Sequence, residues 1–213
     1  MKIVVFGATG KTGKEIVARA LAKGHQVTAF VRDPSRLAAA DEKMPANGRL
    51  HVVTGDVFDF AAVKQALKGQ EAAICALGSS SLTKTAVRSQ GTANIIRAME
   101  EESVERLLVV SAMGTGESWS SLSLINRLVY ATLLRSSRQD HEAQEARVKA
   151  SALSWTIMRP SGLTDDPATG TYAIGPNVQA VRSQIARADV AHALIKALED
   201  EAFVHQAVTI TNS

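Results

Sequence analysis

Short apolar segments alternate with longer amphipathic segments through the first half of the chain. Short, largely β-branched runs predict buried parallel strands at residues 3–6, Gln26–Val31, Leu50–Thr54, 72–77 and Arg106–Val110. Apolar residues at helical spacing between them predict helices over 11–23, 37–40, 59–67 and 85–101. This alternation predicts an α/β fold with a doubly wound parallel sheet of the Rossmann type.

The second half is less regular. We predict a helix over 118–137, a helix capped by Asp140 that runs to 151, and a strand over 153–158 that Arg159-Pro160 ends. A long loop over 161–182 follows, with a strand at Tyr172, and then a helix over 187–198 and a strand over 207–211. Since no repeat or linker interrupts the 213 residues, we predict a single domain over 1–213.

Three glycines follow the first strand at the spacing Gly7-x-x-Gly10-x-x-Gly13. A strand, a glycine turn and a helix start form the phosphate-binding corner of dinucleotide folds, where free N–H groups and the helix dipole face an anion. An ordinary strand-to-helix turn is the alternative. The predicted cofactor-binding residues in this loop are Gly7, Thr9, Gly10, Lys11, Thr12 and Gly13.

The end of the second strand indicates which dinucleotide binds. NAD sites usually place Asp or Glu there, whereas this chain has Arg32, with Arg36 one helical turn later. Two guanidinium groups favour a 2′-phosphate and therefore NADP(H); a solvated basic rim is the alternative. Asp56, after the third strand, is placed to accept the adenine amino group. Other adenosine contacts are predicted at Val57, Leu77 and Gly78.

Composition excludes several other classes. The net charge of +3 is mild, basic residues are scattered and aromatics are few, so nucleic-acid binding is not supported. No stretch approaches the ~18 apolar residues of a membrane span. The single Cys75 cannot form an internal disulfide and is predicted to be a core residue. We expect a cytoplasmic protein without a metal site, either a monomer or a weak homodimer.

Several motifs together resemble the NmrA-like atypical short-chain dehydrogenase/reductases, and within them the flavin reductase/biliverdin-IXβ reductase branch. The resemblance covers nearly the full length. Besides the glycine loop it is carried by Val31-Arg-Asp-Pro-Ser-Arg-Leu37, Gly55-Asp-Val57, Leu77-Gly78, Gly91-Thr-Ala-Asn-Ile95, Val110-Ser-Ala112, Met158-Arg-Pro160, Asp166-Pro-Ala-Thr-Gly-Thr-Tyr172 and Ile185-Ala-Arg-Ala-Asp-Val190.

The resemblance implies NADP(H) binding and hydride transfer to a flavin or an open tetrapyrrole. By position, Ser111 is the serine near the nicotinamide, where it would bond the carboxamide or a substrate carbonyl, and His141 falls near a pocket histidine. A capped strand end and a surface histidine are the alternatives. Arg88 and Arg159 are predicted to meet the cofactor or an anionic substrate, and Pro160 to shape the loop beside the nicotinamide. Substrate-side elements are expected mainly at 114–140 and 160–186.

Two departures narrow the chemistry. Short-chain dehydrogenases use Tyr-x-x-x-Lys for proton transfer, but Leu134 stands four places after Tyr130. Ser161 stands where the resembled branch has a histidine, which argues for a flavin more than a bilin. The leading hypothesis is an NADPH-dependent reductase of a flavin, quinone or similar small conjugated acceptor. A non-catalytic NADP(H) sensor and a sugar-nucleotide epimerase are the alternatives.

Overall fold

A computed structural model of the protein describes residues 1–38, 48–78, 86–115, 135–176, 178 and 184–213. Its main sheet has eight strands in the order β3-β2-β1-β4-β5-β6-β10-β8, and β7 pairs with β9 in a separate two-stranded sheet. The strands are β1 (Lys2–Phe6), β2 (Gln26–Val31), β3 (Leu50–Thr54), β4 (Ala72–Cys75), β5 (Arg106–Val110), β6 (Ser154–Pro160), β7 (Gly162–Thr164), β8 (Tyr172–Gly175), β9 (Gln184–Ala186) and β10 (Gln206–Asn212).

Strand pairing confirms the predicted doubly wound sheet. All pairs in the main sheet are parallel except β10 with β8. The strand order reverses between β1 and β4, where Ile3 pairs with Ala72 and Phe6 pairs with Cys75. Ligands of open α/β sheets bind at such a switch point, beyond the carboxyl ends of the strands.

Helices cover both faces of the sheet. They are α1 (Lys11–Ala22), α2 (Ser35–Ala38), α3 (Phe60–Leu67), α4 (Val87–Glu101), α5 (Arg135–Ala150) and α6 (Arg187–Glu199). Side chains of α1 and α6 pack in one core with Ile3 and Val5, and side chains of α3, α4 and α5 pack in the other with Val4 and Phe6. Because alternate residues of β1 point to opposite faces, one short strand contributes to both cores.

Several element boundaries differ from the predictions. Strand β4 ends at Cys75 rather than at residue 77, and β6 continues through Pro160 rather than ending before Arg159. Pro160 is tolerated because its backbone carbonyl, not an N–H, completes the pairing there, accepting from Met113 at 2.9 Å. The loop predicted over 161–182 contains β7 besides the strand predicted at Tyr172, which is β8. The helix predicted over 118–137 lies mostly outside the described residues. Cys75 is fully buried, as predicted.

Across the part of the chain that the structure describes, no helix is both long enough and apolar enough to cross a membrane.

Candidate active site

A cleft of about 1200 Å³ runs along the carboxyl ends of β1 to β6. The selected residues that line this one cleft are Gly7, Thr9, Gly10, Lys11, Thr12, Gly13, Arg32, Arg36, Asp56, Val57, Leu77, Gly78, Arg88, Ser111, His141 and Pro160. Arg159, also selected, is not among the lining residues. We call the part around residues 7–13, 32–36 and 56–58 the glycine end, and the part around Ser111, His141, Glu145 and Arg159 the serine end.

The glycine loop depends on close backbone approaches. Gly7 has a φ of +81°, and a Cβ there would lie 2.4 Å from the carbonyl oxygen of Ala76. A Cβ on Gly13 would lie 2.1 Å from the carbonyl oxygen of Gly7. Side chains at either position would therefore push the loop off β4 or lift α1 off the loop. Gly10 is exposed and leaves the backbone open toward the cleft.

The start of α1 suits a diphosphate. Gly10 is the N-cap and provides no side-chain hydrogen bond to the first turn. The first N–H groups of the helix and its positive dipole end therefore face the cleft, and the N-cap residue places no side chain over them. These features fit the diphosphate of a dinucleotide.

Lys11 is not a lone positive charge in this loop. Its Nζ contacts Asp165 after β7, and the other carboxylate oxygen of Asp165 lies 2.5 Å from Arg187 Nη1 at the start of α6. Lys11 and Arg187 both line the cleft. Asp165 thus joins the glycine loop to the substrate-side strands, and contact with Lys11 and the charge of Arg187 hold the pKa of its carboxyl below the usual value.

The two arginines chosen for the 2′-phosphate lie at the rim of the glycine end. Arg32 and Arg36 are both exposed and both line the cleft, and neither forms an ion pair within the described residues. Asp33, between them, accepts hydrogen bonds from the Ser35 N–H at 3.0 Å and from its hydroxyl at 2.6 Å. That carboxylate shapes the turn into α2, and its pKa lies below the usual value because of those Ser35 bonds.

The turn that holds Asp56 and Val57, two of the predicted adenosine contacts, also presents an exposed aromatic side chain. Asp56 Oδ1 accepts the N–H of Phe58 at 2.9 Å, so Asp56 shapes the turn that presents Phe58, a residue that is 52% exposed. Asn94 donates to the carbonyl of Val57 at 2.8 Å and fixes the same turn. Phe58 lines the cleft, and the sequence analysis overlooked it because a single Phe after Asp-Val reads as core.

The serine end is built from buried polar side chains. Ser111 Oγ donates to Glu145 Oε1 at 2.7 Å. Arg159 Nε donates to the same oxygen at 3.0 Å, and Arg159 Nη2 donates to Glu145 Oε2 at 2.5 Å. Burial alone would raise the pKa of Glu145, but the bonds and charge of Arg159, with the hydroxyls of Ser111 and Thr115, lower it. Glu145 is therefore ionised, and Arg159 is bound to it rather than turned toward a ligand.

His141 completes the serine end as a neutral ring. Its Nδ1 lies 3.4 Å from Ser111 Oγ. Burial, together with the nearby Arg88 charge, lowers the pKa of His141 to about 4, so the imidazole carries no charge near neutral pH. The carboxylate at this end bonds the serine and not the histidine, which differs from a hydrolytic triad, where the acid orients the histidine.

Asp140 corrects one of the predictions. It was expected to cap its own helix, but α5 already begins by Arg135 and Asp140 lies within it. Its carboxylate instead caps α4 across the cleft wall, accepting from the N–H groups of Arg88 and Ser89 at 3.1 and 3.0 Å and from Ser89 Oγ at 2.6 Å. Arg88 Nη1 lies 3.5 Å from the same carboxylate. The reason is that Ala86, the N-cap of α4, has no side chain that can cap.

Glu145 is the main residue that the sequence analysis missed. Helix α5 is polar on nearly every face, so nothing in the sequence indicated that any of its polar residues is buried. Its buried residues are nevertheless Asp140, His141, Gln144, Glu145 and Val148. Pairs four residues apart, 140 with 144 and 141 with 145, mark one face of a helix and were the available signal. Within the described ranges no group of His, Cys, Asp and Glu side chains is arranged to hold a metal ion.

Comparison with known proteins places the chain in a family. Residues 7–201 match the NAD(P)H-binding protein family, so the chain belongs to the NAD(P)H-binding proteins with a Rossmann fold. Among curated relatives, an uncharacterised chloroplastic protein of Arabidopsis thaliana is 30% identical over 206 residues, covering 94% of this chain and 72% of the relative. The uncharacterised sugar epimerase YhfK of Bacillus subtilis is 30% identical over 216 residues, covering 99% and 94%.

Solved structures show the same fold over the whole length. ChuY of Escherichia coli O157:H7, described as an anaerobillin reductase, superposes with a TM-score of 0.81 at 25% identity, covering 100% of this chain and 97% of ChuY. The predicted resemblance to NmrA-like atypical short-chain dehydrogenase/reductases is confirmed, as are the fold class and an NAD(P)H cofactor. The protein is thus an NAD(P)H-binding oxidoreductase-type chain with reductases among its structural neighbours.

Proposed function

We propose that this protein is an NADPH-dependent reductase that passes hydride to a flavin, a quinone or a similar conjugated acceptor. The observation that carries the proposal is the state of the serine end: its hydroxyl proton is bound by an ionised carboxylate, and its histidine is neutral. The protein thus offers an incoming acceptor polar contacts but no strong acid.

The glycine end supplies the fit to the cofactor. The uncapped start of α1 would hold the diphosphate, and Arg32 with Arg36 would hold the 2′-phosphate. Phe58 offers a flat apolar face beside Asp56, where an adenine ring would lie. Ser111, His141 and Pro160 would then surround the nicotinamide. When bound, NADPH supplies the hydride, and the chain supplies orientation and a site shielded from water.

The absence of a ready acid at the serine end restricts the acceptor. Reducing an isolated carbonyl requires a group that donates a proton as the oxygen becomes negative. At the serine end, Ser111 is committed to Glu145 and His141 has a pKa of about 4. A flavin or quinone spreads the incoming charge over its ring system and takes its protons from water. An electron-poor conjugated acceptor therefore suits this site better than a simple ketone.

The name of one relative raises an epimerase as the competing function. Epimerases of the short-chain dehydrogenase type need a tyrosine paired with a lysine four residues later, but Leu134 follows Tyr130 and Pro176 follows Tyr172 at that spacing. The Tyr172 hydroxyl lies 3.3 Å from His192 Nδ1, and burial raises the pKa of this tyrosine. A raised pKa makes Tyr172 a poor base, which favours the reductase.

Turnover separates these functions. The purified protein is mixed with NADPH and, in parallel, with FMN, a quinone, a redox dye and a nucleotide sugar, and loss of NADPH absorbance is followed. The reductase predicts rapid loss with at least one conjugated acceptor and none with the sugar. Binding of NADPH without turnover of any acceptor would contradict the proposal and favour a sensor. Interconversion of the nucleotide sugar would favour an epimerase.

A further inference from the structure

The hydroxyl of Ser111 has its single proton committed inside the protein. An ionised carboxylate can only accept hydrogen bonds, so the 2.7 Å contact with Glu145 requires that Ser111 be the donor. Its contact with His141 Nδ1 at 3.4 Å must then use a lone pair, whereas Thr115 Oγ1, 3.3 Å away, gives its own proton to the carbonyl of Ala112. One lone pair of Ser111 therefore stays for a ligand. Toward the cleft, this hydroxyl is an acceptor.

Arg159 is what keeps Glu145 available for this role. The guanidinium and the carboxylate are each about 4% exposed and meet through two parallel hydrogen bonds. A bidentate pair of this kind fixes the carboxylate plane. With Arg159 bound on one side, Glu145 Oε1 accepts the Ser111 hydroxyl proton on another.

We propose that Glu145 is a positioning residue that fixes Ser111 as a hydrogen-bond acceptor for the amide N–H₂ of the nicotinamide carboxamide. This inference rests on the proposed cofactor use and sharpens it. Of the two partners that position alone allows for Ser111, an acceptor selects the carboxamide N–H₂ and rejects a substrate carbonyl, which has no proton to donate. The consequence is that Glu145 acts on the cofactor through the serine, without touching it.

A cofactor analogue tests this without any turnover. In the 3-acetylpyridine analogue of NADP⁺, a methyl group replaces the carboxamide N–H₂, so the donor is lost while the carbonyl stays. One net hydrogen bond corresponds to a difference in affinity of roughly three- to tenfold. We expect the wild-type protein to bind NADP⁺ tighter than the analogue by that factor, measured by calorimetry, and Ser111→Ala to bind the two about equally.

The variant that tests Glu145 must not leave an unpaired buried charge. Replacing a buried ion pair with apolar residues of similar volume is often neutral for stability, whereas removing one partner is not. In Glu145→Leu/Arg159→Met, the freed Ser111 hydroxyl can donate to the carbonyl of either ligand, so we expect the preference to fall to about one. Glu142→Gln, on the same helix and paired with Arg138, is the control and keeps the wild-type preference.

Two outcomes would overturn the inference: no preference in the wild-type protein, or an unchanged preference in the double variant. Affinity for 2′,5′-ADP, which lacks the nicotinamide, stays at the wild-type value in every folded variant. If that double variant does not fold, a second apolar pair, Glu145→Met/Arg159→Leu, is measured instead, and the same loss of preference is required of it. Because the readout is binding, a protein that binds NADP⁺ with this preference but reduces no acceptor would refute the proposed reductase and leave this inference standing.

Discussion

The glycine end and the serine end of the cleft are formed by different kinds of chemical group. The glycine end consists of backbone and exposed charge: close glycine contacts, helix N–H groups and two solvent-facing arginines. The serine end consists of buried side chains whose charges and protons are matched within the protein. An exposed cation costs little before a ligand arrives, whereas a buried charge needs a permanent partner. The glycine end therefore has positive charge available to bind an anion, whereas the serine end presents a fixed pattern of polar atoms.

The largest effect should come from breaking the backbone contacts of the glycine end. Gly7→Ala combines a φ of +81° with a Cβ placed 2.4 Å from a carbonyl oxygen. We expect NADPH affinity to fall by more than about a hundredfold and stability by roughly 3 kcal/mol or more. Gly69→Ala is the control, because its φ is +69° but no atom lies within 4 Å of its Cβ; it should cost only about 1 kcal/mol and spare binding. Equal effects would remove steric contact as the cause.

The next largest effect tests whether the exposed Arg32 and Arg36 bind the 2′-phosphate of the cofactor. In Arg32→Ala/Arg36→Ala, loss of two charge-assisted bonds of roughly 1.5–3 kcal/mol each should weaken NADPH by about two to three orders of magnitude. NADH, which lacks the 2′-phosphate, should be nearly unaffected in direct titrations. The control is Arg97→Ala/Arg147→Ala, which removes the same charge from exposed positions that do not line the cleft. Equal loss of both cofactors would show that Arg32 and Arg36 do not contact the 2′-phosphate.

A pH titration examines the serine end. The folded-state pKa of His141 is about 4, below the ordinary 6.5, so the unfolded chain binds the extra proton first. Its contribution to stability is complete above pH 6.5 and is lost as the pH falls toward 4, by about 3 kcal/mol at most. Chemical denaturation at several pH values should show a shallower decline in His141→Gln. Identical slopes in both proteins would mean that the imidazole is not held neutral.

The smallest effect concerns the cap that α5 gives to α4. Asp140→Ala removes the acceptor for two helix N–H groups and the Ser89 hydroxyl, and should cost about 1–2 kcal/mol of stability. Asp59→Ala removes an ordinary cap from α3, where Asp59 accepts from Ala61 and Ala62, and should cost about 1 kcal/mol. Only the first change should alter turnover of an acceptor, because only the first lies at the serine end. Equal effects on turnover would contradict that division.

The same difference explains what the sequence could reveal. Residues of the glycine end act through backbone conformation and local spacing, so Gly7, Gly13 and Arg32 could be chosen from nearby residues alone. Element types in the first half were also predictable, because each strand is apolar and each helix is amphipathic over a short window. Four expectations stay predictions: the preference for NADP(H) over NAD(H), the single domain, the oligomeric state and a cytoplasmic location.

Glu145 could not be chosen in this way, because its role depends on a partner 34 residues away in Ser111 and another 14 residues away in Arg159. A polar helix normally faces water, and only the assembled sheet places α5 against α4 and β6. The prediction for Asp140 was wrong for a related reason. The sequence showed a residue suited to capping, but the N–H groups that it caps belong to Arg88 and Ser89, which lie 52 and 51 residues earlier.

The cap that Asp140 gives to α4 has a consequence for how the chain folds. During synthesis, α4 emerges from the ribosome well before Asp140, so its first turn stays open to water until α5 docks. The glycine end also depends on the second half of the chain, because α1 packs against α6 and Lys11 contacts Asp165. Both ends of the cleft are therefore complete only after the second half of the chain has folded.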